Sequence, residues 1–175
     1  MQSHELPPLA CPHRSHRGHP FANSGNLWVC AFHYARDVAH VLVASDSPTL
    51  RQELRSMLEG PDVVIEEAGS GPEVIDRVRQ KGVDLVILDL QIRNMGAMAI
   101  TLELRNDESF GAADPVAVLM LLDLRPDVFI ARRSGVEGFV IKPLDPQRLR
   151  TAVRALLRGD SYEDETYTPA TVRAN

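Results

Sequence analysis

The sequence predicts an α/β domain built on a five-stranded parallel sheet with helices on both faces. Two observations predict it. From His40 onward, short runs rich in Val, Ile and Leu alternate with stretches whose apolar residues recur at helical spacing. The runs themselves carry few polar residues, as expected of strands buried on both faces.

The first run is His40–Ala44. Leu50, Leu54, Met57 and Leu58 then fall at i, i+4, i+7 and i+8, one face of a helix. Ser47 is placed to cap that helix, with Pro48 at its first position. Val63–Ile65 is the second run, and Pro72 opens the second helix. Leu85–Leu88 is the third, followed by a helix near Met98–Arg105. Val116–Leu122 is the fourth, and Pro126 opens the helix after it. Phe139–Ile141 is the fifth. Asp145 and Pro146 repeat the start signal before Leu149, Val153, Leu156 and Leu157, and Gly159 suits the end of that last helix. Five such units in about 120 residues predict a flavodoxin-like (βα)5 three-layer sandwich, strand order 2-1-3-4-5, with right-handed crossovers. Sheets of this kind carry their site at the carboxyl ends of the strands, between strands 1 and 3, where the order reverses.

Length and composition bound the rest. The 175 residues are 44% hydrophobic and 25% charged, which argues against wholesale disorder and for one domain. A net charge of −5 opposes nonspecific nucleic-acid binding. The longest apolar run, Val116–Leu122, is far short of the roughly 20 residues a membrane span needs. The apolar stretch Leu27–Phe32 is short and late, and no Lys or Arg precedes Arg14, so no secretion signal is evident. A cytoplasmic protein with free thiols is the expectation. Residues 1–38 hold both cysteines and no periodic apolar face, and they are expected to form a mobile N-terminal extension before a domain spanning 39–159. Cys11, His13, His16, His19, Cys30 and His33 are zinc-ligand types, but the first half lacks standard finger spacing. A start site upstream of the functional one would equally explain this segment. Residues 160–175 form an acidic tail, too short for a DNA-binding output unit of about 50 residues. Direct contact with nucleic acid or membrane is not expected.

Three polar residues fall where the topology puts the site. Asp46 lies just past strand 1, Asp89 ends strand 3, and Lys142 ends strand 5. Two carboxylates suit Mg²⁺, which completes its shell with water and phosphate oxygens. An ammonium beside them can pair with an added phosphoryl group.

At this point the segment Val41–Leu144 resembles a receiver domain of two-component response regulators. The matching pieces are Val41-Leu-Val-Ala-Ser-Asp-Ser-Pro48, Asp84-Leu-Val-Ile-Leu-Asp-Leu90, Pro115-Val-Ala-Val-Leu-Met-Leu121 and Gly135-Val-Glu-Gly-Phe-Val-Ile-Lys-Pro-Leu144. The resemblance implies that Asp89 is the phospho-acceptor for a histidine kinase or phosphotransfer protein. Asp46, Asp89 and the backbone carbonyl of Gln91 would hold Mg²⁺, Lys142 would bind the phosphoryl oxygens, and Phe139 would be the aromatic of the switch. The Lys142–Pro143 bond is often cis in such domains. The output would run through a downstream protein, with the face of helix 4, strand 5 and helix 5 as the regulated contact. A homodimer is a further possibility, and no enzymatic turnover is implied beyond self-directed dephosphorylation.

The sequence departs from that family at the switch. Ser45 stands where a first acidic residue is usual, and it can reach a metal only weakly, through a water. Met120 stands where a hydroxyl is usual, offers none, and is large enough to crowd Phe139. Arg93 replaces a common proline, and Gly96-Ala97 replaces an Asp-Gly. A pseudo-receiver that binds a partner without phosphorylation is therefore an open alternative. A flavoprotein is disfavoured because Asp46 would repel a phosphate in the loop after strand 1. A dehalogenase-type phosphatase is disfavoured because Gln91 stands where its second Asp would be.

Overall fold

The computed structural model describes residues 38–80 and 82–167. The Cys/His cluster expected as an extension lies outside them, as does the end of the tail. Five strands form as expected: β1 (Ala39–Ala44), β2 (Val63–Ala68), β3 (Leu85–Asp89), β4 (Ala117–Leu122) and β5 (Gly138–Ile141). Five helices separate or follow them: α1 (Pro48–Leu58), α2 (Gly71–Arg79), α3 (Ala97–Ser109), α4 (Val128–Ser134) and α5 (Pro146–Leu157). The sheet runs β2-β1-β3-β4-β5 with every pair parallel, the predicted order.

The caps follow the sequence. The Ser47 hydroxyl accepts the Leu50 N–H at 3.3 Å, and the Asp145 carboxylate accepts the Arg148 N–H at 2.8 Å. Each such cap stabilises its helix by roughly 1 kcal/mol. Pro126 sits in a 3-10 turn, Arg125–Asp127, that leads into α4. Helix α3 runs to Ser109, past the Arg105 the periodicity suggested. The extra turn ends on Phe110, which is exposed.

Strand alternation sorts the core into two layers. Leu42, Val86, Leu88, Met120 and Phe139 pack against α2, α3 and α4. Val43, Ile87, Leu121 and Val140 pack against α1 and α5 through Leu54, Leu58, Leu149, Val153 and Leu156. Truncating a fully buried Leu such as Leu54 to Ala costs about 2–5 kcal/mol in comparable cores.

The sheet has a strand the sequence did not predict. Residues Tyr162–Glu163 form β6, parallel to β5, so the start of the tail is part of the sheet. Gly138 makes this possible. A Cβ there would stand 2.7 Å from the Tyr162 carbonyl oxygen and 3.0 Å from Leu156 Cδ1. Gly138→Ala should therefore push β6 off the edge and destabilise the domain by about 1–3 kcal/mol. Chemical denaturation gives the loss, and amide exchange at Tyr162, whose N–H donates to Glu137, locates it.

Candidate functional site

The site is built at the carboxyl ends of β1, β3, β4 and β5. Strand β3 is buried along its whole length and finishes on Asp89, which is 5% exposed. Alternation from Ile87 sends the Asp89 carboxylate to the α1/α5 side of the sheet. There its Oδ1 accepts from Lys142 Nζ at 2.8 Å, and its Oδ2 accepts from the Ser45 hydroxyl at 2.8 Å. Both oxygens of the buried carboxylate are thus satisfied, as a charge in such a place requires.

Ser45 is fully buried and doubly used. Its Oγ also accepts the Ser47 N–H at 3.1 Å, and its carbonyl accepts from Arg51 Nη1 at 2.6 Å. Arg51 and Arg55 both grip Glu67 on β2, and hydrogen bonds from Arg55 and then Arg51 hold the Glu67 carboxyl below the usual carboxylate range. The turn after β1 is fixed from both sides. The Ser45 hydroxyl therefore acts on Asp89 directly, a different use from the water-mediated metal contact the sequence suggested.

Lys142 follows β5, and its N–H donates to the Leu122 carbonyl at 2.8 Å, which extends the strand register to the site. The Lys142–Pro143 peptide is cis. Its ammonium bonds Asp89 and, at 2.9 Å, Asp123 Oδ1. Burial alone would lower the Lys142 pKa, but the hydrogen bonds to Asp89 and Asp123 outweigh it and hold it above the ordinary lysine value.

Asp123 was not among the residues picked from the sequence. The signal for it was alternation: it lies two residues beyond Leu121 and ends the apolar run, so it faces the same side as Asp89. The same alternation corrects the place given to Met120. Leu121 is the β4 residue in register with Asp89, whereas Met120 pairs with Phe139 and points into the opposite core layer. Met120 and Phe139 are both buried there, so Met120 does not keep Phe139 out.

Asp46 is not in contact with Lys142 through any observed bond. Its Oδ2 pairs with Arg93 Nε at 2.9 Å. Arg93 sits on the loop after β3 and is largely exposed. That loop is held by Gly71, whose N–H donates to the Arg93 carbonyl at 3.3 Å. A Cβ on Gly71 would stand 2.5 Å from Met95 Cβ, so only glycine allows this approach. Nothing in the sequence pattern announced the Arg93–Asp46 pair, because it depends on the path of the loop, including Asn94 at φ 68°. Among the described residues, no three His, Cys, Asp or Glu side chains converge as an all-protein metal cage. No helix among them is long and apolar enough to cross a membrane.

Comparison with known proteins bears on the family and the fold. Residues 41–154 match the family model described as response regulator receiver domain. The nitrate/nitrite response regulator protein NarP of Escherichia coli (strain K12) is 32% identical over 128 residues, covering 71% of this chain and 58% of NarP. The chain thus spans little more than half the length of that relative. Protein PilH of Pseudomonas aeruginosa is 28% identical, over 70% of this chain and 100% of PilH. The signal receiver domain of a signal transduction histidine kinase from Syntrophus aciditrophicus superposes with a TM-score of 0.63 at 26% identity, covering 70% of this chain and 92% of that one.

The carboxylates around Lys142 set a pH dependence. Because its folded pKa is raised, Lys142 contributes stability that is fully present below the unfolded lysine value of about 10.4 and is lost as pH rises through the folded value. Asp123→Asn should lower the Lys142 pKa and move that loss to lower pH. Titration of the Lys142 Nζ resonance measures it directly, and an unchanged midpoint would remove Asp123 from the account.

Proposed function

The chain belongs to the response regulator receiver domain family, and on that premise we propose that Asp89 accepts a phosphoryl group with Lys142 as its charge partner. Phosphorylation of an aspartate is general to the family, and so is dependence on Mg²⁺. One observation carries the reading for this chain: Asp89 is buried at the mouth of the sheet, with Lys142 and Ser45 each holding one of its oxygens.

In the proposed step, a carboxylate oxygen of Asp89 attacks the phosphorus of a phosphohistidine or acyl phosphate. The P–O bond to Asp89 forms as the bond to the donor's nitrogen or oxygen breaks, and the donor keeps that electron pair. Lys142 is already ion-paired and can move from Asp123 or Asp89 onto a phosphoryl oxygen without crossing the site. Positioning and charge neutralisation are most of what such a transfer requires. Ser45 holds the second carboxylate oxygen and so sets the orientation of the first.

The donor set fits Mg²⁺: the carboxylates of Asp46 and Asp89 and the main-chain oxygen of Gln91 are all hard oxygen ligands. When bound there, the ion would neutralise charge on the transferring group. Two features work against tight binding. Ser45 supplies no charge, and Arg93 already satisfies Asp46. An exposed pair of this kind is worth about 0–1 kcal/mol, so it is a competitor rather than a block. Leu121 and Met120 leave the end of β4 without a hydroxyl for the phosphoryl group.

The proposed donor is a histidine kinase or phosphotransfer protein in the cytoplasm, and the proposed recipient of the signal is another protein reached through the α4-β5-α5 face. Incubation with acetyl phosphate should give one Mg²⁺-dependent phosphoryl group, absent in Asp89→Asn. Equal, negligible labelling of both proteins would instead support a phosphorylation-independent binding module. Arg93→Ala should lower the Kd for Mg²⁺ by about two- to fivefold, the loss of one exposed ion pair, as read by calorimetric titration. Ser45→Asp should lower it further.

A further inference from the structure

The family match ends at residue 154, yet the chain beyond it is bonded to the strand that leads into Lys142. After β6, Asp164 is 1% exposed. Its N–H donates to the Phe139 carbonyl at 3.2 Å. Its Oδ1 accepts the Thr166 N–H at 3.0 Å. Its Oδ2 accepts the Ile141 N–H at 2.9 Å and pairs with Arg148 Nη1 at 3.3 Å. Arg148 in turn donates from Nη2 to the carbonyls of Ile141, at 3.1 Å, and Pro143. Ile141 and Pro143 are the two neighbours of Lys142.

Cover for a sheet edge would need only the backbone pairing of Tyr162 with Gly138 and Glu163 with Phe139. Asp164 reaches beyond that pairing. With Arg148 it holds one N–H and two carbonyls that bracket Lys142. A lysine carries its ammonium on a flexible four-carbon stem, so its aim depends on where the backbone stands. Here the ammonium must meet Asp89 and Asp123 together.

We propose that Asp164 is a positioning residue for Lys142, acting through Arg148 and the Ile141–Pro143 backbone. The segment beyond the receiver match thereby sets where the phosphoryl-binding ammonium stands. This rests on the role given to Lys142 above. Coupling is reciprocal, so loading Asp89 also changes how firmly the segment is held.

The test uses the full chain. Asp164→Asn keeps the size and one acceptor oxygen but removes the charge that holds Arg148. It should slow Mg²⁺-dependent phosphorylation by acetyl phosphate on the order of tenfold, as a small misplacement of a reacting group does. It should also shift the Lys142 Nζ resonance. Glu163→Gln, one residue before Asp164, breaks the outer ion pair to Arg132 of α4 and should change neither. A folded Asp164→Asn with wild-type rate and wild-type Lys142 signal overturns the proposal. So does an equal loss in Glu163→Gln, which would mean only a loosened edge. If Asp164→Asn does not fold, Arg148→Gln is measured against the same two outcomes. Lys142→Met separates the two claims: if it is phosphorylated at the wild-type rate, the role of Lys142 fails, while the Nζ shift in Asp164→Asn still decides whether Asp164 positions it.

Discussion

A carboxylate at the end of a wholly buried strand must find partners, and that requirement organises this molecule. Asp89 closes Leu85-Val-Ile-Leu-Asp89, with apolar layers on both sides of the sheet. Its cation stands 53 residues away, at the end of a strand that is not its neighbour. Only the order β3-β4-β5, with β4 between them, brings Lys142 across Leu121 to Asp89. Removing one partner of a buried pair typically costs about 3–5 kcal/mol, and Lys142, a quarter exposed, places this one toward the lower end.

The same chemistry gives the site a particular balance. Asp46, Asp89 and Asp123 face two cations of the chain's own, Lys142 and Arg93. Their carboxylates are already neutralised in large part by side chains. A metal ion or a phosphoryl group entering here exchanges partners with existing ion pairs. That makes the site one of traded contacts, in which Lys142 and Arg93 each have somewhere to go.

Much of this was legible in the sequence. The strands are dense in Val, Ile and Leu because both faces are covered, and Pro48, Pro72 and Pro146 mark helix starts whose missing N–H is harmless. Asp89 and Lys142 were found because each is the first polar residue after an apolar run. What failed were features that depend on packing. The family pattern alone puts Met120 on the site's side, whereas the strand register gives that place to Leu121. Strand β6 has two residues and no periodicity to see, and it exists because Gly138 leaves room and Asp164 is gripped. Arg93 reaches Asp46 by a loop path that local pattern does not encode.

The order of strands also has a kinetic meaning. Every pairing in this sheet is parallel, so each requires a crossover, and none can form as a local hairpin. A chain made from its N-terminus completes β3 long before β5 exists. The Asp89 carboxylate can meet its ammonium only once β4 and β5 have both been made. Lys142 and then Asp164 arrive last. The pair on which the proposed chemistry turns therefore joins residues 53 apart and depends on β3, β4 and β5 all being in place.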